Sequence, residues 1–187
     1  MYMKKSMTIG FISIIFASVL LSSCDLLDLT PKAAVTVKTY FKNESELELY
    51  ANRFYSDILP GGSGIYKEIG DNMIWIPLAS EVSLTRTVPE KGGGWSFEAL
   101  RHINFLLENI SNCPDAAAVR KYTGVAKFFR AHYYFNMVKR FGDVPWLDHV
   151  PGTDDPALYK ARDSRDFVME KVIEDLDEAI RLFKKEN

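Results

Sequence analysis

The chain is short of most things that announce chemistry. Its 187 residues include only two cysteines, Cys24 and Cys113, and three histidines, His102, His132 and His149. Two cysteines cannot make a disulfide framework, and Cys113, beside the helix-breaking Pro114, reads as a structural thiol with no His or Asn arranged around it. The histidines show no His-Glu-x-x-His or other ligand spacing and have no cysteine pair to join, so no metal and no other cofactor is called for. No excess of positive charge exists either. Lys plus Arg is 23 against 25 for Asp plus Glu, a net charge of −2, which excludes a nucleic-acid footprint. No Gly-x-Ser-x-Gly elbow is present, and neither glycine cluster, 61–64 or 92–94, leads into Gly-Lys-Ser/Thr, so nucleophile and phosphate-loop readings fail. What remains is 47% hydrophobic and 13% aromatic, a globular composition.

Apolar runs are also scarce, with one exception. Lys4 and Lys5 precede a stretch from Ile9 to Leu21 broken only by Gly10, Ser13 and Ser18. A spanning helix needs about 20 apolar residues, so this run is too short and reads as a secretory signal. Leu21-Ser22-Ser23-Cys24 resembles the bacterial lipoprotein box. That implies cleavage after Ser23, a thioether-linked diacylglycerol and an acylated amine on Cys24, and stable anchoring by more than one chain. The expected organisation is a signal peptide over 1–23, a lipidated tether over 24–42 and a helical domain over 43–187.

Four helical segments are predicted. In the first, Leu47, Tyr50, Ala51, Phe54, Tyr55 and Ile58 recur with helical period, Asn43 or Ser45 can cap the start, and Pro60-Gly61 stops it. The second runs from about Ser96 to Asn112 with Leu100, Ile103, Leu106, Leu107 and Ile110 inside. The third runs from Asp115 to a C-cap at Gly142. Residues 128–138 are apolar around most of its circumference, so it should be central and contacted on several sides. The fourth follows Asp163-Ser164-Arg165-Asp166 and is expected to bury Phe167, Val172, Leu176, Ala179, Ile180 and Phe183. Residues 60–94, glycine-bracketed and without helical period, read as loops with a short strand at most. The fold class is mostly α.

Ligand candidates are few. Trp75 and Trp95 lie in or beside the irregular excursion, and an indole offers an apolar face to a sugar ring with an N–H donor at its edge. Core packing is the alternative for both, and Trp146, after Val144-Pro145, reads as structural. Arg86 could donate twice to vicinal hydroxyls, or be an ordinary surface arginine. Asp71 and Glu81 are the carboxylates a loop could pair for glycoside hydrolysis, but nothing marks them among many acids.

Ala126-Lys127-Phe128-Phe129-Arg130-Ala131 leading into Phe141-Gly142-Asp143-Val144-Pro145 resembles the central motif of the SusD/RagB-type outer-membrane lipoproteins. Arg162-Asp163, Asp175-Leu176 with Ala179, and Cys24-Asp25 through Leu29-Thr30-Pro31 are similar to further family motifs in the family's order. Val125 departs from it, standing where the family often has Glu. The resemblance implies a stack of tetratricopeptide-like helix pairs with irregular loop insertions that carry a ligand site. It implies a non-enzymatic protein on the outer membrane that binds oligosaccharides or other nutrients. Its partner would be a SusC-like TonB-dependent transporter. Family members are much longer, so an end at Asn187 reads as a truncated product with Leu176, Ile180 and Phe183 partly uncovered. Two rivals stand beside this reading: a lipid-anchored helical-repeat adaptor for proteins, and a surface glycoside hydrolase. Physically, Arg130 within so apolar a helix should pair with a carboxylate.

Overall fold

The computed structural model describes residues 40–61, 76–78, 80, 82–90 and 92–184. The described residues all lie in one compact unit, Val37–Asn187. The leader, Cys24 and most of the tether fall outside them, as do Asp71, Trp75 and Glu81.

Four helices run through the described residues: α1 (Glu44–Ile58), α2 (Glu98–Asn109), α3 (Ala116–Phe141) and α4 (Arg165–Lys184). Short 3₁₀ turns follow α2 (Ile110–Asn112) and precede α4 (Pro156–Tyr159). Among the described residues there is no strand beyond one isolated bridge, Val144 to Asp163. The protein is mostly helical, as expected.

Local chemistry sets the ends. Asn43 caps α1 by accepting from the Glu46 amide at 3.0 Å, while the Glu46 carboxylate reaches back to the Lys42 amide at 2.9 Å, a reciprocal capping pair. Asp115 caps α3 through the amides of Ala117 and Ala118. Gly142 closes α3 at φ 72°, ψ −113°, a conformation that residues with a Cβ avoid, and its N–H donates to Val138 O at 2.9 Å. The next residue, Asp143, accepts from the Arg165 amide at 2.9 Å and so ties the exit of α3 to the first turn of α4.

α3 is the axis of this unit, in contact with α1, α2 and α4, and most extensively with α4. Its N-terminal half joins α1 and α2 in one apolar cluster around Leu47, Phe54, Ile103, Leu106 and Phe129. Its C-terminal half joins the exit loop and α4 in a second, around Leu100, Tyr134, Val144, Leu147 and Val168. Phe41, placed by sequence in the tether, is wholly buried in the first cluster with Tyr40 packed beside it, so the packed unit already includes these two residues. Cys113 is buried, the structural position expected of it.

The inward face of α4 agrees with the expected one in part: Val172 and Ala179 are buried and Ile180 and Phe183 are partly uncovered, as anticipated, whereas Phe167 departs from it. Val168, Val172, Asp175 and Ala179 are buried, whereas Phe167, Ile180 and Phe183 are 38%, 50% and 40% exposed. Asp175 is the charged member of that face. Its carboxylate takes Nε of Arg130 at 2.6 Å and a terminal guanidinium nitrogen at 2.8 Å, with Lys127 Nζ at 3.0 Å. This interaction fixes the rotation of α4 on the residues spaced around Asp175. The carboxylate partner expected for Arg130 is thus supplied from 45 residues downstream.

Candidate functional site

The site begins at a glycine turn. Gly92, Gly93 and Gly94 all have positive φ (73°, 62° and 88°), three successive left-handed residues that side chains would strain. The turn is locked by Trp95 N–H donating to Gly92 O at 3.0 Å and by Arg140, whose Nε donates to Gly93 O. Tyr133 then holds the next step, its hydroxyl donating to Ser96 O at 2.6 Å; burial pushes this phenol's pKa well up, so it stays a donor. Trp95 is therefore set on a pinned turn at the entrance to α2.

Around the indole, Phe97 and Phe141 make edge contacts at 5.4 and 4.9 Å between centroids, and the Arg162 guanidinium lies 4.7 Å from its ring. The half-buried ring thus packs on the second apolar cluster and also lines a pocket of about 470 Å³. The packing expected as the alternative for Trp95 is present, and the same ring stands at the edge of a recess. One wall of the pocket is α2, through Glu98, Arg101 and Asn104. The facing wall is the loop after α3, through Leu147, His149, Leu158 and Lys160.

That loop has no regular structure, so its position depends on side chains reaching it from the helices. Asn104, wholly buried, donates to the carbonyls of Leu147 (2.9 Å) and His149 (3.0 Å) while its own oxygen faces Arg130 at 3.3 Å. The Tyr134 hydroxyl accepts from the Leu147 amide at 2.6 Å; burial raises its pKa well above the usual phenol value. Trp146 stacks on the Tyr134 ring at 4.3 Å between centroids, and the Arg130 guanidinium lies 5.2 Å from the indole, the structural part expected of it. Farther along, Asp155 accepts from the Ala157 amide at 2.8 Å and from His149 Nε2 at 2.8 Å. Its pKa is lowered first by that amide and then by His149. His149 Nδ1 meets Asp148 at 3.1 Å, and the two carboxylates raise the imidazole pKa, Asp148 foremost.

Arg101 has no side-chain hydrogen-bond or ion-pair partner among the described residues, and Lys160 is held by Asp163 at 2.7 Å. The pocket is thus an apolar, aromatic-sided recess with a few hydrogen-bonding groups at its edge, in the size range of small-ligand sites. Of the candidates from sequence, Trp95 lies in it. Arg86 is exposed on the preceding segment and is not one of its lining residues, and Trp75 and Cys24 lie outside the described residues. The facing wall was missed, because a loop without periodicity carries no signal of what it will face. Among the described residues no group of three or more His, Cys, Asp or Glu could hold a metal ion.

A family model described as SusD-like, starch-binding associating with outer membrane, matches residues 85–187, more than half of the chain. The match contains the pinned turn, Trp95 and both pocket walls. No curated protein and no solved structure matches the chain.

Proposed function

The chain belongs to the SusD-like family, whose description is starch binding in association with the outer membrane, and on that footing we propose that it is a non-catalytic glycan-binding lipoprotein. In this reading Cys24 carries the lipid that anchors it on the outer surface, and a SusC-like TonB-dependent transporter receives the bound glycan. The observation that carries the reading is the pocket: an indole beside an apolar recess, with Arg101, Glu98 and Lys160 placed at its edge to meet hydroxyl groups. Glu98 is the single carboxylate among its described lining residues, whereas glycoside hydrolysis generally uses two facing carboxyls. No described helix is long and apolar enough to cross a membrane, and the lipid anchor of this reading rests on Leu21-Ser22-Ser23-Cys24.

The test is retention of the full chain on native gels containing soluble starch and other plant polysaccharides, with Trp95→Ala beside it. Retention of the parent that weakens in the variant, with no new reducing ends on incubation, supports the reading. Turnover of any glycan would replace it with the hydrolase. One observation favours the adaptor: Phe128 and Phe135 on α3 and Ile173 and Ile180 on α4 are exposed apolar side chains. A protein bound there would be indifferent to Trp95→Ala.

A further inference from the structure

His149 stands where the pocket wall divides into an inner part, held by α2, and an outer part. Its backbone belongs to the inner part: the His149 carbonyl accepts from buried Asn104, and the next amide, Val150, donates to Glu108 on α2 at 2.6 Å. Residues 155–160 are the outer part, resting on the cluster through Ala157 and on Asp163 through Lys160. They turn once in the 3₁₀ segment, which Asp155 caps, and from that turn Ala157, Leu158 and Lys160 form the outer lip of the pocket. The His149 ring spans the two, with Nδ1 on Asp148 and Nε2 on Asp155. Both partners are carboxylates, and carboxylates only accept. An imidazolium satisfies both with two N–H donors. A neutral imidazole has one, and must leave the other ring nitrogen facing an acceptor.

We infer that His149 is the positioning residue of this pocket: as imidazolium it clips the lip at 155–160 to the anchored segment 147–150, and its deprotonation loosens the lip and weakens ligand retention. The inference rests on the glycan-binding reading for its ligand but not for the clip itself. The charged groups around the ring are Asp148 and Asp155 on its own loop, Lys160 on the lip, Glu98, Arg101 and Glu108 on α2, and Arg130 on α3, which acts on Asp148. The two directly bonded carboxylates hold the imidazole above its ordinary 6.5, and both carboxylates are held below theirs. A group whose folded pKa is raised contributes below that value and loses its contribution as pH rises through it. The clip is therefore closed at acidic pH and opens as pH rises through a window above 6.5.

The experiment follows soluble-starch retention by the full chain in detergent micelles between about pH 6 and pH 9, the range in which a raised imidazole titrates, for the parent, His149→Gln and Asp155→Asn. In parallel, the Ala157 amide proton is followed by NMR over the same range. The parent should lose about three- to fivefold in affinity across the window, the effect of one solvent-screened charged contact. Both variants should show a flat, weaker profile. In the parent the Ala157 amide should shift with the His149 midpoint, and in His149→Gln that shift should vanish. A His149→Gln profile parallel to the parent's, or an Ala157 amide that ignores the His149 titration, overturns the clip. If starch and the other polysaccharides are retained at no pH, the glycan reading falls, and the amide titration alone decides the clip.

Discussion

Asp175→Asn is the substitution whose cost the structure lets one work out best. The carboxylate receives two guanidinium N–H groups of Arg130 and the Lys127 ammonium, and the Arg130 and Asp175 side chains are only 8% and 5% exposed. Removing one member of a buried ion pair leaves the other charge uncompensated, typically at about 3–5 kcal/mol. The lower end applies here, because Asn keeps one acceptor oxygen, and Arg130 retains Asn104 and the Trp146 ring. About 3 kcal/mol is a large share of a stability of roughly 5–15 kcal/mol, and should lower the melting temperature by roughly 10 °C. Urea unfolding followed by circular dichroism measures it. Glu44→Gln is the control, since Lys121 and Glu44 also meet at 3.0 Å but are 43% and 49% exposed. Its cost should stay within about 1 kcal/mol. The double variant Arg130→Met/Asp175→Leu should lose less than the sum of its single changes, because it removes both buried charges together. An Asp175→Asn loss no larger than that of Glu44→Gln would refute the argument that burial makes this pair the axle of α4.

Trp95→Ala should abolish most glycan retention and also cost about 1–2 kcal/mol, since the half-buried ring packs on Phe97 and Phe141; loss of stability with retention unchanged would leave the indole a packing residue only. Gly142→Ala should cost about 1–3 kcal/mol by backbone strain alone, because nothing lies within 4 Å of the added Cβ, and a melting scan indistinguishable from the parent would contradict it. Cys24→Ala should release the protein from membranes; a variant that still sediments with them in high salt would rule out the lipid anchor.

The helix ends were legible because capping is local chemistry. Asn43, Asp115 and Gly142 do in the structure what their residue types suggest in the sequence. The central place of α3 was legible for a related reason, since a helix apolar on all sides must be surrounded. The inward face of α4 was legible only in part. Apolar bulk favoured Phe167, which is 38% exposed, and passed over Asp175, which is 3% exposed, because hydrophobicity cannot nominate an aspartate. Arg130 pointed to a carboxylate without saying which, because the choice depends on how α3 and α4 lie together. Half of the pocket was legible in the same limited sense. Trp95 after three glycines is conspicuous, whereas Leu147, His149 and Leu158 acquire meaning only when the loop is folded against α2.

Asn104 explains why the buried ion pair and the pocket are not separate subjects. It lies where the two apolar clusters meet, wholly buried, and its amide has two different ends. The oxygen faces a donor, Arg130, and the nitrogen donates to two carbonyls of the pocket wall. Only that orientation satisfies all three contacts, since the reverse would set an oxygen against two carbonyls and an NH₂ against a guanidinium. The ion pair of α3 and α4 therefore fixes which way the amide points, and the amide fixes where Leu147 and His149 stand. A motif that on sequence grounds makes only the fold, Arg130 followed by the turn at Gly142, thereby holds one wall of the recess in which Trp95 forms the other side.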